Sequence, residues 1–241
     1  MPPDLQPREW LARQPLKSSE QLFAIFSNAS AAKPFKAWQR SEVAQAPSAV
    51  WAETIYAEWD AVMPYVGIVS ADSEFLDWVA TTESRDWGWL AVSSASLEVL
   101  IEHLRSLTQV RMPDGKAVFF RFWDGRFLLP ILQSETVEAT RLLPVIGRGW
   151  INGQAVEVGG RALASGRVFP WWQVPEALLA QTGNEVRIAN ALQWLSEEHP
   201  LLFEAFPEAV LHRKVGWFFR VSASEESSQS SLLAYLLDEA E

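Results

Sequence analysis

Residues 86–126 read DWGWLAVSSASLEVLIEHLRSLTQVRMPDGKAVFFRFWDGR, and three changes of pattern inside that stretch decide the fold. Trp87–Ser93 is short and almost wholly apolar, which suits a buried strand. Ser94 and Ser96 then offer N-caps, and Leu97, Leu100, Ile101, Leu104 and Leu107 recur at helical spacing with Glu98 in the first turn. Pro113-Asp114-Gly115 separates Val110–Met112 from Ala117–Trp123 and predicts a hairpin, because Pro presets φ and Gly accepts positive φ. A second helix is expected over Arg126–Ser134, with Phe127, Leu128, Ile131 and Leu132 on its apolar side.

Upstream, Gln21–Ser27 and Tyr65–Ser70 read as further short strands, while Ala46–Ala61 fits either strand or helix. Pro2, Pro3, Pro7 and Pro15 make the first stretch a poor helix or strand, so a partly ordered arm is expected there. Downstream, Asn152-Gly153 between Trp150-Ile151 and Ala155-Val156 is a strong hairpin signal, ended by Gly159-Gly160. Beyond Pro170 the pattern turns helical. Pro175 suits a first turn leading into 176–181, and Asn184 can cap a helix carrying Ile188, Ala191, Leu192 and Leu195. Pro200 and Pro207 bracket a third helix, and Leu232–Leu237 closes the chain after the Ser-rich stretch 222–231. The expected fold is α+β: an N-terminal α/β lobe with a small mixed sheet, then a mainly helical C-terminal lobe. The expected divisions are an arm over 1–20, the α/β lobe over 21–148, a hairpin and linker over 149–169, and the helical lobe over 170–241.

The chain has 241 residues, 49% hydrophobic and 21% charged, enough apolar material for a core. Its formal charge of -10 argues against a nucleic-acid face and against anionic membrane surfaces. Glu197–Glu241 carries nine acidic residues against Arg213, Lys214 and Arg220, a net of -6, so most of the excess is C-terminal. There is no Cys, which excludes disulfides and thiolate chemistry and fits a reducing compartment. Charges interrupt every apolar stretch of the first 27 residues, so no signal-peptide core is expected. No run approaches the ~18 apolar residues of a membrane span. A cytoplasmic location is expected. Thirteen Trp and 13 Phe against 3 Tyr is a large aromatic surplus. Such side chains fill cores and also anchor protein interfaces, and thirteen Trp predict that some line a contact surface.

A search for reactive groups returns little. No Gly-x-Ser-x-Gly elbow, Gly-x-Gly-x-x-Gly loop or Gly-x-x-x-x-Gly-Lys loop occurs, so neither a hydrolase elbow nor a phosphate cradle is expected. His103 falls two residues past Ile101 on the amphipathic helix and reads as partly exposed. His199 precedes Pro200 at a helix end, and His212 sits beside Arg213 and Lys214. Glu197, Glu198 and His199 are adjacent on a helix and point some 100° apart, so they cannot converge on one metal ion. No cofactor and no metal are expected. The cluster Phe119–Arg126 stands out. An Arg among bulky apolar residues needs a carboxylate or carbonyls, and Asp124 can cap the next helix or hold Arg126. In an extended strand Phe120, Phe122 and Asp124 face one way, and Phe119, Arg121 and Trp123 the other. The cluster reads as a strand-to-helix corner.

Trp87–Ser94, Leu97–Leu107 and Pro113–Leu132, taken in order, are similar to the type VI secretion adaptor (effector chaperone) family, also catalogued as a domain of unknown function. The residues carrying the resemblance are His103-Leu104-Arg105, Asp114-Gly115, and Phe120-Arg121-Phe122-Trp123-Asp124-Gly125-Arg126. A weaker likeness extends over Gln21–Trp150. Gly125 stands where the family has Pro, a departure expected to loosen the corner. The resemblance implies a cytoplasmic, non-catalytic protein of Gram-negative bacteria that binds one cognate toxic effector and helps mount it on the spike protein. It implies no cofactor, nucleic acid or membrane. Arg121, Asp124, Arg126, His103 and Arg105 are the family-motif residues, expected to be structural. Trp171 and Trp172, consecutive between Pro170 and Pro175, and Trp123 are the candidate partner-binding residues. Two alternatives remain: an immunity-type protein that neutralises a toxin, and a carboxylate-based glycan hydrolase.

Overall fold

Gln21–Ser27 is apolar along almost its whole length because it becomes the strand covered on both faces. In the computed structural model, which describes residues 5–41, 46–160, 167–179, 188, 191–192, 194–196, 198–221 and 229–239, this strand β1 is buried at every position after Gln21. It lies between β3 (Pro64–Val69) and β4 (Gly88–Ser93), with Ile25 opposite both Val66 and Trp89. Strand β2 (Ser48–Ala49) flanks β3, and β7 (Arg148–Ile151) with β8 (Gln154–Glu157) extends the sheet beyond β4. The fold class is α+β. Every pairing in this six-stranded sheet is antiparallel, where a mixed sheet is expected. β3 and β4 do run parallel to each other, but β1 is inserted between them, so no neighbours in the sheet are parallel.

One face of the sheet packs on helices α1 (Pro7–Arg13), α2 (Pro34–Ser41) and α3 (Glu74–Thr81). Leu22, Ala24, Phe26, Leu90 and Val92 meet Trp10, Trp38, Phe75 and Trp87 there. Full burial of each such side chain contributes roughly 1.5–3 kcal/mol. The expected loose arm is therefore wrong for 7–13. Pro7 occupies the first helical position, where its missing N–H costs nothing, and Trp10 and Leu11 enter the core.

The other face, carrying Phe23, Ile25, Trp89 and Ala91, is equally buried. Helix α4 (Leu97–Ser106) packs over β3 on this side. It is capped by the Ser96 hydroxyl, which accepts from the Val99 N–H at 3.4 Å. The Pro-Asp-Gly turn joins β5 (Gln109–Arg111) to β6 (Ala117–Phe119), with Gly115 at φ 86°. The chain then turns a corner into α5 (Gly125–Gln133), followed by α6 (Ala139–Leu142). The β7–β8 hairpin has Asn152 at φ 49° and Gly153 at φ 79°, the two left-handed residues of a type I′ turn. This hairpin completes the sheet, since Leu90 pairs with Trp150. It is not part of a linker.

Two compact units divide between Pro175 and Glu176. The expected boundary at 170 is moved by backbone hydrogen bonds: Arg111 N–H donates to Trp172 O, and Val174 N–H donates to Arg111 O, each at 2.8 Å. Trp171–Val174 therefore belongs to the first unit.

The second unit is helical, and Pro200–Glu204, Glu208–Val221 and Gln229–Asp238 are helices among its described residues. Ile188, Leu195, Leu211, Val215, Phe218, Leu232 and Leu236 form its core. No helix is expected over Glu208–Val221, where His212-Arg213-Lys214 and Gly216 interrupt the apolar residues. Its buried residues nevertheless recur at 211, 215, 218 and 219, one helical face. The start at Asn184, the stop at Gly183 and the stretch 222–228 lie outside the described residues.

Candidate partner-binding surface

Phe120–Arg126 is where the chain leaves β6 and enters α5. The strand ends at Phe119, so the expected alternation holds only to Phe122: Phe120 and Phe122 are buried and Arg121 is exposed, but Trp123 turns inward as well. Asp124 is fully buried. Its Oδ1 accepts from the Arg126 N–H at 3.0 Å, the N-cap of α5. Arg126 also grips both carboxylate oxygens, Nε to Oδ1 at 3.1 Å and Nη2 to Oδ2 at 2.9 Å. Arg121 reaches Oδ2 at 2.9 Å and lies over the Phe127 ring at 5.0 Å. Two guanidinium groups and a backbone N–H thus compensate one buried charge, the condition under which such a charge is tolerated. Arg126 also touches Asp86 at 3.3 Å. Burial raises the pKa of Asp86, but hydrogen bonds from Ser84 and Ser30 and the Arg126 charge outweigh it, leaving a pKa below the usual carboxylate range.

Gly125 does not loosen this corner. A Cβ there would sit 2.9 Å from Asn152 Nδ2 and from Ile151 Cγ2, so the absence of a side chain lets the start of α5 abut the β7–β8 turn.

His103 is buried, against the expected exposure, with Leu142 O at hydrogen-bond distance and the Trp171 ring 6.3 Å from its own. Its Nε2–H donates to Leu142 O at 2.9 Å. Burial, opposed by that hydrogen bond and assisted by the Arg167 charge, pushes its pKa down to about 4. Arg105 donates from Nε to Val50 O at 2.8 Å and pairs with Glu53 at 3.1 Å. The five motif residues thus tie elements of the first unit together.

The three Trp candidates divide. Trp123 is buried, packed edge-on against Trp51 and Phe122 at 5.4 and 5.1 Å, so it offers no face to a partner. Trp171 and Trp172 are half-buried on opposite sides of their extended segment. Trp171 Nε1–H donates to Ser106 Oγ at 3.0 Å, with the Arg167 guanidinium 4.2 Å over its ring. Trp172 lies 5.7 Å from Phe120.

A larger aromatic surface comes from Trp51–Trp59, expected as either strand or helix, together with Phe119 of β6. Between Trp51 and Trp59 the chain makes successive tight turns: Thr54 N–H donates to Trp51 O, Ala57 N–H to Thr54 O, and Trp59 N–H to Tyr56 O. This coil brings Tyr56 and Trp59 against Phe119 of β6, with centroids 5.0, 5.1 and 5.3 Å apart for the pairs Tyr56–Trp59, Tyr56–Phe119 and Trp59–Phe119. Trp51, buried beneath, is fixed by Nε1–H donation to Thr108 Oγ1 at 3.0 Å. Phe169 adjoins Tyr56 at 6.4 Å. Trp59 is 45% exposed, Phe119 41% and Ile55 85%. A rigid aromatic floor with its outer rings in solvent has the composition of an interface anchor. Glu58 and Asp60 flank Trp59 and make no ion pair among the described residues, whereas Glu53 is held by Arg105.

Elsewhere in the first unit, a polar cleft of about 340 Å³ is lined by Glu20, Arg148 and Glu157 among others. A backbone hydrogen bond from Lys17, opposed by burial and helped by Arg148, holds Glu20 below the usual carboxylate range. Among the described residues no group of three or more His, Asp or Glu side chains is placed to hold a metal ion. None of the described helices is long and apolar enough to cross a membrane.

Residues 22–141 match the family model described as Domain of unknown function (DUF4123). No curated protein and no solved structure matches the chain. The DUF4123-like segment contains the whole Asp124 corner, His103 and Arg105. It also contains Ile55, Tyr56, Trp59 and Phe119, so the exposed aromatic surface lies within the matched residues. Trp171 and Trp172 lie beyond them.

Proposed function

We propose that this protein is a non-catalytic adaptor that holds a type VI secretion effector through the aromatic surface of its first unit and helps mount it on the spike protein. The observation carrying this reading is the surface on which Trp59 and Phe119 display their rings over the buried Tyr56 and Trp51, inside the DUF4123-like segment. Exposed aromatics on a pre-ordered floor bind another protein at low conformational cost. The antiparallel sheet and the Asp124 corner then serve to hold the surface rigid.

The test is co-expression with each candidate effector encoded beside this gene, followed by size-exclusion chromatography. The adaptor reading expects one such protein to co-elute in a stable complex. It also expects that effector to be toxic once released from the complex, which separates loading from neutralisation. A complex that permanently blocks the toxin contradicts loading.

A further inference from the structure

We infer that the occupant of the aromatic surface is an extended segment of the partner, apolar and basic in composition, which pairs with the outer edge of β6. This deepens the adaptor reading and rests on it. The register of the hairpin decides the direction of the backbone. Met112 N–H donates to Lys116 O, and Phe120 N–H donates to Thr108 O. With Val110 opposite Val118, the hydrogen-bonded pairs are 108/120, 110/118 and 112/116. In an antiparallel ladder the intervening residues point their N–H and C=O groups away from the partner strand. Ala117 and Phe119 therefore aim two donors and two acceptors outward. β5 is flanked on its far side by 172–174, through Arg111. β6 has no strand on its outer side among the described residues, and all three of its residues are exposed.

An open edge of this kind is a template for strand addition. What distinguishes it here is its surroundings. The Phe119 ring meets Trp59 at 5.3 Å, so an added strand lies beside exposed rings that take its apolar side chains. Glu58 and Asp60 flank Trp59 with no cation opposite among the described residues, so Lys or Arg on the incoming segment completes the charge balance. An acidic segment is repelled.

The probe is the acetylated and amidated peptide Lys-Val-Lys-Phe-Lys-Val-Lys, titrated into the full chain with Trp fluorescence as the readout. Its Glu-for-Lys counterpart and a version N-methylated at alternate residues serve as comparisons. The inference expects the basic peptide to bind and both counterparts to bind at least roughly tenfold more weakly, the scale set by two exposed ion pairs and two lost backbone bonds. Glu58→Lys with Asp60→Lys reverses the charge preference, and both positions are exposed, so the fold is retained. Equal binding of all three peptides overturns the inference, as does no binding of the basic one. A concentration-dependent dimer abolished by Trp59→Ala also overturns it, by assigning the surface to a second copy. If a genomically adjacent effector binds and the charge reversal leaves its affinity unchanged, the extended basic segment is excluded while the adaptor reading stands. If no such effector binds, the adaptor reading fails whatever the peptides do.

Discussion

Trp38 lies flat against Gly67: a Cβ built on Gly67 would fall 2.2 Å from Cη2 and 2.4 Å from Cζ2 of the Trp38 ring. The ring cannot swing aside, because Phe26 and Phe75 pack on it at 5.6 and 5.2 Å. Gly67→Ala is expected to destabilise the protein by about 3 kcal/mol through overpacking. Urea unfolding checks this, and a loss under 1 kcal/mol means that α2 moves freely off the sheet.

Asp124→Ala removes the cap of α5 and leaves Arg121 and Arg126 without their shared carboxylate. The expected cost is about 3 kcal/mol, the scale of a broken buried pair. Asp124→Asn keeps an oxygen for the Arg126 N–H and should lose less. Equal losses in the two variants, measured by thermal melts, contradict the ranking.

Gly125→Ala and Gly125→Pro both place a Cβ against Asn152 and Ile151. Each is expected to cost about 1–2 kcal/mol, since two side chains must shift. A raised melting temperature for Gly125→Pro would show that the hairpin yields.

His103 makes stability depend on acid. Its pKa is pushed down from 6.5 to about 4 in the folded state. The unfolded chain therefore binds more protons between those values, and stability present above pH 6.5 is lost as pH falls toward 4. The expected loss is about 3 kcal/mol. His103→Gln should flatten that part of the profile relative to the parent. Parallel profiles for the two proteins would place the pH dependence on other groups.

Elements whose local pattern agrees with their tertiary setting were legible in the sequence. β1, β4, α4 and the Asn152-Gly153 hairpin follow directly from apolar runs, a Ser cap and a type I′ turn pair. The antiparallel order was not, because the insertion of β1 between β3 and β4 is a long-range choice that no local signal records. His103 differs from its pattern for the same reason: its own helix leaves it beside the apolar stripe, and groups distant in sequence, Leu142 O and the Trp171 ring, lie against it. The Asp124 corner was readable because Arg and Asp stand three residues apart among aromatics. The surface of Trp59 and Phe119 over Tyr56 was not, since Ala46–Ala61 fits strand and helix alike, whereas the chain there makes successive tight turns. Their aromatic content was the only signal, and it applied equally to Trp123, which turned inward.

Binding of the effector that co-elutes with the protein to the parent chain and to the Trp59→Ala, Phe119→Ala double variant, compared by calorimetry, tests the central claim most directly. Two interface anchors are removed while Trp51, on which both rings pack, keeps its hydrogen bond to Thr108, so in a variant that remains folded affinity should fall by roughly a hundredfold, about 3 kcal/mol. An affinity equal to that of the parent, in a folded double variant, contradicts the claim that this surface holds the partner.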